Sequence, residues 1–241
     1  MTAAPEISNI RIRDIDDVAE MRAVEELQKE VWGIPDLDVV PLTHLVAAKE
    51  AGGALIGAYD GSTLVGFVYG FPSYERGRLA HHSHMLAVKP AYRNFDLGRR
   101  LKLAQRDHVI AQGIELISWT FDPLQSLNAH FNFNKLGVIA DRYLLDFYGR
   151  DAASFLHQTG TDRLWVSWFV SHERRDPIAG EDQVVIEIPS DINALIRHSP
   201  ETALKWRAET RRAFTDALKA GYIVTSFVRD QNAGKYLLSR G

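Results

Sequence analysis

The 241-residue sequence contains no cysteine. Disulfide bonds, a thiolate nucleophile and zinc or iron–sulfur sites held by cysteine are therefore excluded. An excess of positive charge is missing too, since 28 lysines and arginines accompany 31 aspartates and glutamates and the formal net charge is −3. A general nucleic-acid binder needs a basic surface, so we expect no nucleic-acid partner and only a local site for any anion.

Long apolar runs are also absent. The N-terminus, MTAAPEISNI, has neither the basic region nor the apolar segment of a secretion signal. No apolar run approaches the ~20 residues that span a bilayer. We therefore expect a cytoplasmic protein with no membrane partner. The hydrophobic content of 46% and the charged content of 24% are typical of a globular chain that can bury a proper core.

Hydrophobic periodicity predicts that strands and helices alternate along most of the chain. The first strand is predicted near residues 7–15, a helix over 16–32, and a hairpin over 54–71. The stretch from 78 to 149 is predicted as β-α-β-α-β, with its helices near 97–112 and 124–137. RLWVSWFV, residues 163–170, is predicted as a further strand. The fold class expected is α/β with a mixed sheet.

A polar stretch after residue 170 indicates a junction between a first domain, residues 1–175, and a C-terminal extension, residues 180–241. The extension is predicted as βαβ. Because about 60 residues bury little surface alone, we expect it to pack on the first domain and to add to the sheet edge left by residues 163–170. The apolar side chains expected to become buried are Phe214, Leu218, Tyr222 and Ile223.

The stretch VKPAYRNFDLGRRL, residues 88–101, places cations where a strand gives way to a helix. Arg93, Arg99, Arg100 and Lys102 lie near the positive end of the helix macrodipole, where each cation costs a few tenths of a kcal/mol, roughly. The first turn of a helix also presents backbone amides without partners. Both features favour a bound anion at this loop, although such turns are often only solvated surface.

The loop lacks the phosphate-binding patterns G-x-x-x-x-G-K-[ST] and G-x-G-x-x-G. Its pattern, Arg93-x-x-Asp96-x-Gly98 behind Val88-x-Pro90, resembles motif A of the GNAT superfamily of acyl-CoA-dependent N-acyltransferases. In that family the loop amides hold the pyrophosphate of coenzyme A. The resemblance implies acetyl-CoA or another acyl-CoA as co-substrate and no metal.

A second segment extends the resemblance. SLNAHFNFNKLGV, residues 126–138, is similar to the family's second motif, with Ala129, Lys135 and Gly137 in register. The order of elements also fits, so the resemblance covers about the first 170 residues. It implies that the backbone amide near Leu86 or Ala87 polarises the thioester carbonyl. The full set of cofactor-binding residues implied is Leu86, Ala87, Val88, Arg93, Asn94, Phe95, Asp96, Leu97, Gly98, Arg99, Asn128, Phe131 and Lys135.

Two positions depart from the family pattern. Asp96 stands where the family prefers glycine, so its carboxylate must point away from the phosphates or be offset by neighbouring arginines. Phe133 occupies the position where many members carry a tyrosine that protonates the leaving thiolate. Because phenylalanine has no proton to donate, that role is vacant or filled elsewhere.

Two histidines are candidates for the base that deprotonates the amine. His82 and His84 lie two apart on the strand RLAHHSHMLAV and share one face, whereas His81 and Ser83 share the other. An imidazole suits proton transfer near neutral pH, but hydrogen-bonded structural histidines are an equal alternative. Asp122 is a second candidate base, with capping of the next helix as its rival role. A metal site formed by His81, His82 and His84 is disfavoured, because three neighbouring strand residues cannot converge on one ion.

Several alternatives are open for other residues. Asn128 and Asn132 are either ligands or surface and capping residues. The aromatic residues Trp119, Phe121 and Phe131 either wall a cleft or belong to the core.

The function expected is transfer of an acetyl or other acyl group to the amine of a small molecule such as an amino acid, by direct attack on the thioester. A non-catalytic acyl-CoA-binding or regulatory domain is the main alternative. A nucleic-acid or protein-modifying factor would use Arg207, Arg211 and Arg212 on the last long helix, whose spacing is more typical of a solvated face. A homodimer is left open.

Overall fold

The computed structural model describes residues 10–149, 158–170 and 182–241, and the side chain of Asn94 is outside that description. The chain divides into two compact units, residues 1–117 and residues 118–241. The expected junction after residue 170 lies mostly outside the described residues, so the domain border at 175–180 stays a prediction. Of the helices that are described, none is long and apolar enough to cross a membrane.

The first unit, as far as it is described, is built on an antiparallel sheet whose four strands are neighbours in chain order. These strands are β1 (Ile10–Asp14), β2 (Ala54–Asp60), β3 (Thr63–Glu75) and β4 (Arg78–Val88). Its helices are α1 (Val18–Trp32), α2 (Leu42–Glu50) and α3 (Leu97–Ala111). The four strands and the helices α1 and α3 lie where the periodicity predicts them.

Alternation along β2 and β3 gives this sheet two apolar faces. Leu55, Phe67 and Tyr69 pack with α1 and α2 in one buried cluster. Ile56 and Val68, their chain neighbours, pack with α3 in another. A strand buried on both faces explains the nearly continuous apolar run of residues 54–71.

The second unit has a sheet in the order β5-β7-β6-β9-β10-β8. Its strands are β5 (Leu116–Phe121, which begins in the first unit), β6 (Ile139–Leu144), β7 (Arg163–Phe169), β8 (Val184–Pro189), β9 (Tyr222–Arg229) and β10 (Ala233–Arg240). Its helical segments are α4 (Ser126–His130), the π-helical segment (Phe131–Leu136), α5 (Ile192–His198) and α6 (Pro200–Lys219).

The extension contains the predicted strand-helix-strand order and differs from the prediction in its helices and in its docking edge. Its order is β8-α5-α6-β9-β10, because Asp191 caps a separate short helix by accepting the Ala194 amide over 3.0 Å. Its β9 pairs with β6, at Ala140 and Val224, and not with β7. β6 already occupies the edge of β7, so the free edge available to the extension belongs to β6.

Burial in the extension centres on Tyr236. The rings of Phe133, Phe214 and Phe227 lie 5.8, 5.1 and 4.7 Å from it between centroids. Of the four residues expected to be buried, Phe214 and Tyr222 are buried, whereas Leu218 and Ile223 are half-buried.

Candidate active site

The predicted site residues are divided between the two units. The loop after β4 and the histidines of β4 belong to the first unit, whereas Asp122, Asn128, Phe131 and Lys135 belong to the second. Each group has its own local geometry.

The loop between β4 and α3 has the predicted strand-turn-helix form. β4 ends at Val88, a 3-10 turn spans Pro90–Phe95, and α3 begins at Leu97. Asp96 lies between the turn and the helix and has a left-handed backbone, with φ of 55°. Glycine adopts that conformation without the strain that a side chain causes. This gives a physical reason for a glycine preference at the position.

The first turn of α3 presents backbone donors suited to an anion. The Arg100 amide makes the first helical bond, to the Asp96 carbonyl, over 3.0 Å. The amides of Leu97, Gly98 and Arg99 precede it and have no acceptor within the helix. The Asp96 side chain does not cap them, because its carboxylate is turned toward Arg99, 3.5 Å from Nη1. Three such amides at the positive end of a helix fit a phosphate group.

The cations near this loop are less crowded than the sequence predicts. Lys102 is buried, and its Nζ donates to the Ser83 hydroxyl over 2.6 Å. Arg100 Nη2 donates to the Ile10 carbonyl over 3.0 Å. The expectation of four cations at the helix start is therefore wrong for Lys102, and Arg100 is directed to β1. Arg93, which donates to the Val88 carbonyl over 3.3 Å, and Arg99 remain beside the loop.

The other loop residues anchor it to the core of the first unit. Leu86, Val88 and Phe95 pack around the cluster under α3, in which Leu97 is fully buried. Ala87 is buried on the opposite face. These residues fix where the amides point, and any contact of their own with a cofactor stays a prediction.

β4 contains a bulge at the candidate histidines. Met85 is paired with Tyr69 and Ser83 with Gly70, so His84 is the extra residue between them. As a result His84 and Met85 both lie on the face toward α1 and α2. Regular alternation would place these two neighbours on opposite faces. The sequence predicts the shared face of His82 and His84 correctly, but strict alternation gives no sign of the bulge.

His82 and His84 belong to a cluster of rings. Phe71 lies beside both, with its ring centroid 5.5 Å from that of His82 and 5.9 Å from that of His84. The two imidazoles are 6.2 Å apart, and Tyr69 stands edge-on to His84 at 6.1 Å. His44 of α2 completes the cluster, 6.4 Å from Phe71.

This environment keeps both imidazoles neutral near pH 7. Burial lowers the pKa of His82 to about 4, with a further contribution from His84. Although His84 retains solvent contact, the rings around it desolvate its charged form, and this together with His44 lowers its pKa. A neutral imidazole is the form that accepts a proton.

The opposite face of β4 carries a buried polar network. The Ser83 hydroxyl donates to Gln105 Oε1 over 2.7 Å, and Gln105 Nε2 lies 3.2 Å from His81 Nε2. Burial lowers the pKa of His81 to about 3 and that of Lys102 well below its usual range. The predicted division of the strand's faces is correct, and His81 is a structural histidine.

Asp122, in the second unit, is an ion-paired residue in the turn before α4. Its Oδ1 accepts the Leu124 amide over 3.0 Å, and both carboxylate oxygens lie 2.8 Å from Arg207 Nη2. The Leu124 amide lies in the turn before α4, whose N-terminal cap is Gln125 without a side-chain hydrogen bond, so the predicted capping role is not observed. With both oxygens engaged, Asp122 is a weaker candidate base than the histidines of β4, and its catalytic role stays a prediction.

The helix predicted over 124–137 changes type midway. α4 is followed by the π-helical segment, which ends at Gly137 with a left-handed backbone. Asn128 and Lys135 are exposed and Phe131 is half-buried, so the three remain available as predicted. Asn132 is buried, which excludes a surface role for it.

Aromatic residues of the second unit mostly form its core. Phe133 is fully buried between Phe121 and Tyr236. Trp119 packs edge-on to Trp168 at 6.2 Å. The Tyr236 hydroxyl donates to the Pro123 carbonyl over 2.6 Å and is buried, so the nearest phenol to Phe133 is already committed.

The arginines of α6 have different environments. Arg207 is buried on Asp122, and Arg211 binds Asp162 and Asp146 over 2.6 and 2.8 Å. Arg212 alone of the three is exposed. The expectation of a solvated face is wrong for Arg207, and ion pairing removes both it and Arg211 from any basic patch.

Comparison with known proteins gives one family. Residues 16–138, about half of the chain, match the model described as the acetyltransferase (GNAT) family. The match includes the loop of residues 93–99 and the segment 126–138. No curated protein matches the chain.

Solved structures agree with the fold. An acetyltransferase of the GNAT family from Desulfovibrio desulfuricans is 16% identical with a TM-score of 0.54, covering 67% of this chain and 99% of that one. The aminoglycoside 6'-N-acetyltransferase from Enterococcus faecium is 19% identical with a TM-score of 0.51, covering 69% and 99%. The ribosomal-protein-S18-alanine N-acetyltransferase from Escherichia coli is 13% identical with a TM-score of 0.53, covering 72% and 97%.

Proposed function

The chain belongs to the acetyltransferase (GNAT) family, and from that premise we propose that it transfers an acetyl or other acyl group from acyl-CoA to the amine of a small molecule such as an amino acid. Acyl-CoA supplies the activated thioester. The residues of this chain bind it, orient the amine and accept its proton.

The start of α3 carries the cofactor part of the proposal. The amides of Leu97, Gly98 and Arg99 have no helical acceptor, and Asp96 is turned toward Arg99. This arrangement fits a pyrophosphate, with Arg93 and Arg99 as the adjacent cations. Asp96 keeps a negative charge in the loop, which argues for modest affinity.

His84 and His82 supply the base in this proposal. Both are neutral near pH 7, and His84 also keeps solvent contact. An amine that reaches the ring cluster gives its proton to an imidazole as its nitrogen attacks the thioester carbonyl. The backbone amide near Leu86 or Ala87 stabilises the oxygen that becomes negative. Phe133 donates no proton, so the thiolate leaves without help from that position.

The structure constrains the identity of the amine acceptor less than it constrains the cofactor site. Among the solved structures that share the fold, one is named for an aminoglycoside and another for a ribosomal-protein alanine. We propose that the extension shapes the acceptor pocket, with edge covering as its alternative role. Buried Arg207 on Asp122 supports a role of α6 in ordering the end of β5.

Calorimetric titration with CoA tests the cofactor site. Gly98→Glu introduces bulk and negative charge at the amides and is expected to abolish measurable binding. Asp96→Gly is the matched variant in the same loop and should bind CoA equally or more tightly. Unchanged affinity in Gly98→Glu would remove the loop from the proposal.

Thiol release from acetyl-CoA tests the activity. The assay uses a panel of amino acids, an aminoglycoside and a short peptide with a free N-terminal amine. Amine-dependent release with a small molecule supports the proposal, and release with the peptide alone shifts the acceptor to a protein. CoA binding without release by any amine favours the non-catalytic acyl-CoA-binding alternative, for which Asp96 and Phe133 are the specific observations.

A further inference from the structure

The second unit contains a pocket of about 710 Å³ where three of its segments meet. His130 and Asn134 approach it from α4 and the π-helical segment, and Ser190 from the connection between β8 and α5. Arg229 approaches it from the end of β9 and Gln231 from the turn that follows. The residues that line it include none of those expected to bind the cofactor. The proposed acyl transfer leaves this pocket without a role.

Both carboxylates at the pocket are committed to backbone amides. Asp191 Oδ1 accepts the Ala194 amide over 3.0 Å. Asp230 Oδ1 accepts the amides of Asn232 and Ala233, each over 2.8 Å, and these bonds lower the Asp230 pKa. Their negative charge is therefore partly neutralised within the chain.

The cationic groups of the pocket differ from these carboxylates. Among the described residues, neither the Arg229 guanidinium nor the His130 imidazole makes a side-chain hydrogen bond or ion pair. Burial lowers the pKa of His130, and the positive charges of Lys135 and Arg229 lower it further. Lys135 and Arg229 thus place positive charge near His130, which favours an anion beside it.

From this geometry we propose that the pocket binds a small organic oxyanion, a carboxylate or phosphate monoester carried on a partly apolar body. The planar guanidinium of Arg229 matches either oxyanion through paired hydrogen bonds. Asn134, Gln231 and Ser190 supply further hydrogen-bonding groups, and Phe227 supplies an apolar wall. A volume of about 710 Å³ lies in the range of small-molecule sites, and a bare inorganic ion would fill little of it.

Calorimetric titration of the full chain without CoA tests this site. The probes are phenyl phosphate and phenylacetate, with 2-phenylethanol as the neutral analogue and inorganic phosphate as the bare ion. At least one organic anion should saturate the protein with a Kd on the order of 1 mM or tighter. The alcohol and inorganic phosphate should each bind at least ~10-fold more weakly. The two anions show which oxyanion the pocket prefers.

Variants locate the binding. Arg229→Gln and Asn134→Asp, both at exposed positions, should each weaken the preferred anion by ~10-fold or more. Arg212→Gln removes the same charge from an exposed position on α6 outside the pocket and should leave binding unchanged. The absence of saturable binding by either anion, equal binding of the alcohol, or equal losses in Arg229→Gln and Arg212→Gln would overturn the proposal. None of these readouts depends on acyl transfer.

Discussion

The two faces of β4 use the same residue type in different ways. On one face His81 is fully buried and joins Gln105, Ser83 and Lys102 in a hydrogen-bonded network. On the other, His82 and His84 lie among the rings of Phe71 and Tyr69, and His84 keeps solvent contact. All three have lowered pKa values. A shifted pKa therefore does not distinguish a structural histidine from a candidate base, whereas access to solvent does.

The largest expected effect is the loss of activity when a histidine on the ring-lined face of β4 is replaced. His84→Ala should lower kcat/KM by ~10²–10⁴-fold, the usual loss of a general base, while CoA affinity and thermal stability change little. Initial rates of thiol release, with an amine that serves as acceptor, measure kcat/KM. Calorimetry measures CoA affinity and thermal stability. His108→Ala, on α3 of the same unit, is the control and should keep its rate. Full activity in His84→Ala, with His82→Ala equally active, would return both residues to a structural role.

Replacement of His81, on the opposite face of β4, should lower the stability of the protein. His81→Ala leaves Gln105 Nε2 without its partner and opens a cavity, at an expected cost of about 2–3 kcal/mol in the free energy of unfolding. Urea denaturation measures it. The activity per folded molecule should be unchanged. A loss of less than about 0.5 kcal/mol would show that the network contributes little.

The same residue should also affect how stability depends on pH. The folded pKa of His81, about 3, lies below its unfolded value of 6.5, so the unfolded state binds more protons as the pH falls from 6.5. The stability attributable to this residue is present above pH 6.5 and decreases by about 1.4 kcal/mol per pH unit down to the folded pKa. His81→Gln, which keeps a polar side chain, should reduce the slope of stability against pH between 6 and 4 by that amount. An unaltered slope would contradict the assigned environment.

The smallest expected effect is at Asp96. Its left-handed backbone favours glycine, so Asp96→Gly should change the free energy of unfolding by less than about 1 kcal/mol, with stabilisation from relieved strain. Thermal unfolding measures the change. Asp107→Gly, in the interior of α3, is the contrasting control and should destabilise by roughly a few tenths of a kcal/mol. A comparable loss in Asp96→Gly would show that its ion pair with Arg99 outweighs the strain.

Local patterns predict the first unit well, because its strands and helices follow one another with turns that the sequence marks. The bulge at His84 escapes prediction, since it depends on the pairing of β4 with β3 and leaves no local signal. The burial of Lys102 is not predicted for a related reason. Its place at the start of α3 predicts exposure, yet the helix turns it toward the buried Ser83.

The second unit shows the limits of prediction more strongly. The short helix α5 is about two turns of weakly periodic sequence, so it merges with a loop in a periodicity analysis. The pairing of β9 with β6 is a long-range contact that the free edge of β6 decides. The pairing of Arg207 with Asp122 joins residues 85 positions apart, and spacing along one helix predicts nothing about it.

The pH dependence of kcat/KM tests the central claim most directly, that a neutral histidine on the ring-lined face of β4 takes the amine's proton. The sequence alone predicts an ionisation between pH 6 and 8, but the lowered pKa values of His82 and His84 place the acid limb below pH 6.5. The rate should hold as the pH falls to that value and then decline as the imidazole is protonated. His84→Ala or His82→Ala should remove this limb. A limb that is identical in the wild type and in both variants would contradict the account and move the proton to Asp122 or to a chain of water molecules.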